Sequence, residues 1–146
     1  MLTPPKTLNN YPFDDTALRT VFDGFPTEQR AVLLTLRDQI FEIASATPGV
    51  GTLTETLKWN QPAYLTDQTG SGTTIRLGAG RPDHVSVYTH CQTTVMSDLR
   101  LMHPDAFVFE KNRAVHMPVS VPLPKDALYS LFHHALTYHL RKKQKE

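Results

Sequence analysis

Residues 52–59, Thr-Leu-Thr-Glu-Thr-Leu-Lys-Trp, alternate without a break. Leu53, Glu55, Leu57 and Trp59 fall on one side of an extended chain, and Thr52, Thr54, Thr56 and Lys58 on the other. That is the pattern of a strand covered on one face only. Pro62 is expected to stop the strand, with Ala63-Tyr64-Leu65 resuming pairing beyond it. Gln68–Gly72 reads as a flexible hairpin tip, and Thr73–Leu77 and His84–His90 as the next two strands, joined across residues 78–83. Phe107–Glu110 and Ala114–Val119 form a further hairpin around Lys111-Asn112-Arg113.

Helical periodicity brackets this block. A short helix is predicted over Asp14–Asp23, with Asp14 or Asp15 at its start and Gly24 after its end. A longer one is predicted over Glu28–Ala46, capped by Thr27 and ended by Pro48-Gly49. Its apolar face is Val32, Leu33, Leu36, Ile40, Ile43 and Ala44, with Arg30, Arg37, Asp38 and Glu42 mostly off that face. Thr94–Met102 is a short helix inside the strand block. A last helix begins at Pro124 and runs to about Lys143, with His139 on its apolar side. Strands in a block with helices at the ends define an α+β fold. The expected architecture is an antiparallel sheet of about five strands with the N-terminal and C-terminal helices packed on one face. The expected organisation is an extended N-terminal arm over 1–13, one domain over 14–143 and a basic tail over 144–146.

Composition narrows the function classes. At 146 residues, 40% hydrophobic and 20% charged, the chain is of single-domain size and globular composition. No apolar run reaches the ~20 residues that span a bilayer, so no membrane partner is expected. The opening MLTPPKTLNN has no apolar h-region, so secretion is not expected. One cysteine, Cys91, excludes an internal disulfide and a multi-cysteine zinc site. These features point to the cytoplasm. A net charge of +1 argues against nucleic acid as a partner. The basic run at Arg141, Lys142, Lys143 and Lys145 suits the C-terminal end of a helix dipole.

Several residues are candidates for chemistry. Glu55 shares the apolar side of its strand, so it is either a margin carboxylate paired with a nearby Arg or Lys, or a pocket acid that holds a ligand cation or acts as a base. Lys58-Trp59-Asn60-Gln61-Pro62-Ala63-Tyr64 is the densest polar and aromatic cluster. Trp59 and Tyr64 are either core rings or the walls of a ligand slot. Tyr88 and His90 share a strand face and are candidates for the same pocket. Cys91 next to His90 is not a nucleophilic dyad, since strand neighbours point apart, and it reads as a small buried residue. The seven histidines contain no H-E-x-x-H motif and no ligand spacing, so no cofactor is assigned. Gly78-Ala79-Gly80 lacks the third glycine and following helix of a dinucleotide fingerprint.

The run Glu55-Thr-Leu-Lys58-Trp59-Asn-Gln-Pro62-Ala-Tyr64 resembles the signature of the YdhG-like domain family of unknown function. In that family an acid-bearing strand leads into a W/Y-x-x-P-x-Y element. The glycine hairpin with its following strand His84–His90 is similar too, as is the hairpin ending at Val119 with Pro122 and the closing helix. The resemblance covers residues 20–140, nearly the whole chain. It implies a compact α+β, YdhG-like fold. Some members are described as frataxin-like iron chaperones, which would make iron the cargo and acids its ligands. Here Asp14, Asp15, Asp23, Glu28, Asp38 and Glu42 are spread along two helices rather than gathered.

Three functions follow. The first is a non-enzymatic cytoplasmic domain that binds a small molecule or a protein segment in a pocket of Glu55, Lys58, Trp59, Tyr64, Tyr88 and His90. The alternatives are an iron chaperone and a small enzyme using Glu55 or His90 as base. A sheet of this size also leaves a strand edge through which a homodimer could form.

Overall fold

The computed structural model of the chain describes residues 11–145. Of the expected arm, only residues 11–13 fall within that range; the rest lies outside the described residues. Two helices come first, α1 (Thr16–Asp23) and α2 (Thr27–Ala46). Asp15 caps α1, accepting the Ala17 N–H at 2.7 Å, and Gly24 ends it. Pro26, not Thr27, is the capping residue of α2.

Six strands follow: β1 (Thr54–Lys58), β2 (Gln61–Leu65), β3 (Ile75–Gly78), β4 (His84–Tyr88), β5 (Val108–Glu110) and β6 (Ala114–Pro118), with α3 (Val95–Met102) between β4 and β5. The described residues end in α4 (Lys125–Leu136) and α5 (Tyr138–Lys145). The sheet order is β1-β2-β3-β4-β6-β5, antiparallel throughout. The fold is therefore the expected α+β arrangement, with six strands in place of about five.

The additional strand comes from the Trp59 region. Pro62 does not stop pairing. It lies inside β2 opposite Leu57, and the hairpin turns instead at Trp59-Asn60. Both turn residues have left-handed backbone, φ 54° and 59°, which matches the twist that a two-residue hairpin requires.

Register separates the two faces of the sheet. Tyr64, Ile75, Leu77, Val85, Val87, Val115 and Met117 share one face and are buried against Phe22, Leu33, Leu36 and Ile40 of α1–α2, Met96 and Leu99 of α3, and Leu128, Leu131 and Phe132 of α4. The helices thus cover one face. The other face carries Gln61, Arg76, Ser86, Tyr88, Glu110 and His116.

The closing helix is two helices. Ser71 intercepts the junction: its hydroxyl donates to the Leu136 carbonyl at 2.8 Å, and its own carbonyl accepts the His139 N–H at 2.8 Å. Gly72 lets the turn come this close, because a Cβ there would lie 2.3 Å from the Ala135 carbonyl oxygen. The 68–72 segment is therefore docked rather than a free tip. The break also turns Tyr138 inward and leaves His139 exposed, not on the apolar side. Among the described residues no helix is long and apolar enough to cross a membrane.

Candidate functional site

The register that pairs Glu55 with Tyr64 across β1 and β2 puts both on the helix-covered face. Arg37 of α2 meets them there. Its Nε donates to Glu55 Oε2 at 2.5 Å and its Nη2 to Oε1 at 2.9 Å, a bidentate ion pair. The Tyr64 hydroxyl donates to the same Oε2 at 2.8 Å. Its Nη1 donates to the Tyr11 carbonyl and its Nη2 also, at 3.4 Å, to that of Pro12. The Phe13 ring covers the group at 3.9 Å.

Arg37 is 2% exposed and Tyr64 fully buried. Burial opposes the Arg37 charge, but the Glu55 carboxylate outweighs it and raises the guanidinium pKa further. Burial, and then the charge of Glu55, push the Tyr64 phenol well above its ordinary value, so it stays a proton donor. Glu55 is thus the paired carboxylate of the two readings above, with Arg37 as partner.

A cleft, the α2–β1 cleft, opens beside this network, between α2 and the segment that leads into the edge strand β1. One recess of about 390 Å³ is lined by Tyr11, Phe41, Ala44, Thr47, Thr52 and Leu53 among others. A second of about 290 Å³ is lined by Tyr11, Phe41, Leu53, Asp14, Asp15 and Glu55 among others. Tyr11, Phe41 and Leu53 belong to both. The Tyr11 ring stacks on Phe41 at 5.0 Å, and Phe41 meets Tyr64 edge-on at 5.7 Å. The lining is aromatic and aliphatic along most of its length and carboxylate-bearing at the Glu55 end.

The six residues predicted for one pocket do not line one pocket. Glu55 and Tyr64 are brought together, but Tyr64 is a fully buried core residue that lines neither recess. Trp59 is neither core nor wall: it sits on the β1–β2 turn, 86% exposed. Lys58 flanks that turn and is exposed. The physical reason is the turn itself, which takes Trp59 out of the alternation that placed it beside Glu55. Tyr88 projects from the opposite face of the sheet, where Arg76 stacks on it at 5.2 Å. His90 lies past the end of β4, exposed, with its Nδ1 accepting the Gln92 N–H at 3.1 Å. Cys91 is exposed rather than buried.

Tyr88 belongs to a different network. His116 is held between Ser86 Oγ, 2.6 Å from Nδ1, and Glu110 Oε1, 2.7 Å from Nε2. Arg113 and then His116 hold the Glu110 carboxyl down at about 2. The connectivity is that of a nucleophile, base and carboxylate. Ser86, however, is fully buried, and a Cβ on Gly80 of the covering loop would lie 3.8 Å from its Oγ and 2.7 Å from the Tyr88 hydroxyl. No acyl group reaches a hydroxyl so enclosed, and the network reads as polar packing.

The acids of the iron-chaperone alternative are not gathered either. Asp15 is engaged as the α1 cap, and Glu55 by Arg37 and Tyr64. Among the described residues no three His, Cys, Asp or Glu side chains are placed to hold a metal ion. The residues missed from the sequence are Arg37, Tyr11 and Phe41. An acid on an apolar strand face was the signal that a buried base exists, but not which one.

A six-stranded open antiparallel sheet, helices on one face and a buried Arg–Glu–Tyr network at its edge hairpin make this an α+β domain of the open-faced kind. Among solved structures the chain is similar to YdhG from Bacillus subtilis, a protein from the DUF1801 family: TM-score 0.56, with 17% identity over 81% of this chain and 86% of that one. The chain thus has the YdhG-like fold that its sequence motif implies. No protein-family model matches the sequence, and no curated protein sequence does.

Proposed function

We propose that the chain is a cytoplasmic, non-enzymatic binding domain whose ligand lies in the cleft between α2 and β1. The observation that carries this is the pair of adjoining recesses sharing Tyr11, Phe41 and Leu53 as a wall, with Glu55, Asp14 and Asp15 at one end. Such a lining suits a small molecule with a flat apolar body and a cationic or hydrogen-bond-donating end. The body stacks along Tyr11 and Phe41, and the polar end meets the carboxylates. Asp14 is the carboxylate left to meet a cationic end, because Glu55 is already neutralised by Arg37 and Asp15 caps α1; Glu55, fixed by Arg37 and Tyr64, gives that end a rigid polar wall. The exposed, unpaired thiol of Cys91 accords with a reducing compartment. A homodimer, if formed, would use a sheet edge, β1 or β5.

The test is an amide-resolved NMR titration of the full chain with a library of aromatic amines. Saturable shifts confined to residues 11–15 and 41–55, lost in a Leu53→Trp variant that remains folded, support the reading. Hits that cluster elsewhere, or that survive Leu53→Trp unchanged, overturn it.

A further inference from the structure

Asp38 stands one residue beyond Arg37 on α2 and turns to another side of the helix. It is 4% exposed. Among the described residues its Oδ2 is fully enclosed and has no hydrogen-bond partner. A buried carboxylate without a partner is among the costlier arrangements a fold can carry, and native interiors rarely keep one. Burial, with the nearby Glu42 charge adding to it and Arg37 opposing it, raises its pKa from 3.8 to about 6.

The carboxylate borders a recess of about 220 Å³ between α2 and the start of α4, lined by Thr35, Asp38, Gln39, Glu42, Leu123, Lys125 and Leu128. Glu42 lies one helical turn from Asp38, so two carboxylates share the recess and repel each other. Lys125 lines the recess and the Arg37 charge reaches Asp38 from the adjacent position, yet among the described residues no base forms an ion pair with Asp38 or Glu42. Leu123 and Leu128 supply apolar wall. The recess therefore holds unneutralised negative charge at one end and aliphatic surface beside it. Only two carboxylates are present, and among the described residues no set large enough for a metal ion occurs. A guanidinium pairs best with both oxygens of one carboxylate, which Asp38 cannot offer because its Oδ2 is enclosed, whereas a single ammonium donor needs only one oxygen from each acid. A compact –NH₃⁺ on an alkyl stem meets both features: three donors for Asp38, Glu42 and Gln39, and methylenes for the leucines.

We propose that this recess between α2 and α4 is a second binding site, separate from the α2–β1 cleft, and that it takes a primary alkylammonium group. Asp38 receives the charge, Glu42 shares it, and Lys125 at the rim competes with it.

The experiment is an amide-resolved NMR titration of the full chain with n-butylammonium chloride, with sodium chloride and tetramethylammonium chloride as matched controls. Saturable shifts in residues 35–42 and 123–128, absent with both controls, are expected. Asp38→Asn weakens the affinity by about tenfold or more, as loss of a buried charged partner should. Glu42→Gln weakens it less, and Lys125→Gln tightens it. Shifts that sodium chloride reproduces, equal binding of tetramethylammonium, or unchanged affinity in both Asp38→Asn and Glu42→Gln overturn the proposal. Residues 35–39 and 123–128 line this recess and not the α2–β1 cleft, so shifts there separate the two sites, and failure of one reading leaves the other standing.

Discussion

The guanidinium of Arg37 is buried with Glu55 Oε1 and Oε2 matching its charge and the Tyr11 and Pro12 carbonyls accepting from Nη1 and Nη2. Removing the acid leaves a buried cation whose cost is not offset. Glu55→Gln is therefore expected to lower stability by about 3–5 kcal/mol, the range for breaking one side of a buried ion pair. Tyr64→Phe removes one donor to Oε2 and is expected to cost about 1 kcal/mol. Urea unfolding of both variants and of the double variant measures this. If the pair acts as one network, the double variant loses less than the two single losses combined. Trp59 behaves oppositely. A bulky residue in left-handed backbone costs roughly 1–2 kcal/mol, and this one is exposed. Trp59→Asn, which suits the first position of such a turn, is expected to stabilise by about 1 kcal/mol in thermal unfolding followed by circular dichroism. A loss of stability instead would show that Trp59 packs against something. The sequence made Glu55 legible as an acid needing a partner. It did not make Arg37 and Asp38 legible, because spacing placed both off the apolar face, and a charged side chain enters a core only through a partner or recess formed by distant residues.

At the level of elements, the unexpected features are junctions. The 68–72 turn, which its glycines and polar residues predict to be a flexible tip, is pinned together with Thr73 to the α4–α5 break. Ser71 and Thr73 bond there to the Leu136 and Ala135 carbonyls, and Gly72 fits without a Cβ. Gly72→Ala is expected to cost about 1–3 kcal/mol, as overpacking against backbone does. It should also speed amide exchange at residues 71–73 and 137–140 while leaving β4 and β6 protected. Uniform acceleration across the sheet would mean that this junction is not a separable unit. The helices and the central strands were readable because their apolar periods face a single core. The β1–β2 turn was not, because Trp-Asn lacks the Asn-Gly signal, and the proline after it looks like a terminator until the missing N–H is seen to be tolerated inside β2. The same misreading put Trp59 in the site, since alternation holds only up to the last residue of a strand.

For the whole molecule, charge burial sets how stability responds to pH. Asp38 titrates in the folded chain at about 6 rather than 3.8. The folded state therefore binds this proton more tightly than the unfolded state does. Its ionisation costs stability fully above pH 6, and the cost fades as pH falls through 6 towards 4. Other groups have the opposite sign. Burial opposes ionisation of Asp98, but its hydrogen bonds with His134 and Thr94 win and lower its pKa, so its contribution is lost only as acid protonates it. Burial, with Arg141 and His134 adding to it, lowers the pKa of His133, so its contribution declines as pH falls below 6.5. A raw pH profile mixes these limbs. The difference between the parent chain and Asp38→Asn isolates one of them, because the others are common to both proteins. The variant is expected to be more stable by about 1–3 kcal/mol at neutral pH, because it removes the buried charge whose cost the rise from 3.8 to about 6 reports, at about 1.4 kcal/mol per unit. That advantage should be level above pH 6, shrink between 6 and 4, and level off below. Urea unfolding at a series of pH values reads it directly. A difference that stays flat across the series would mean that Asp38 does not carry the unneutralised charge that makes the α2–α4 recess a cation site.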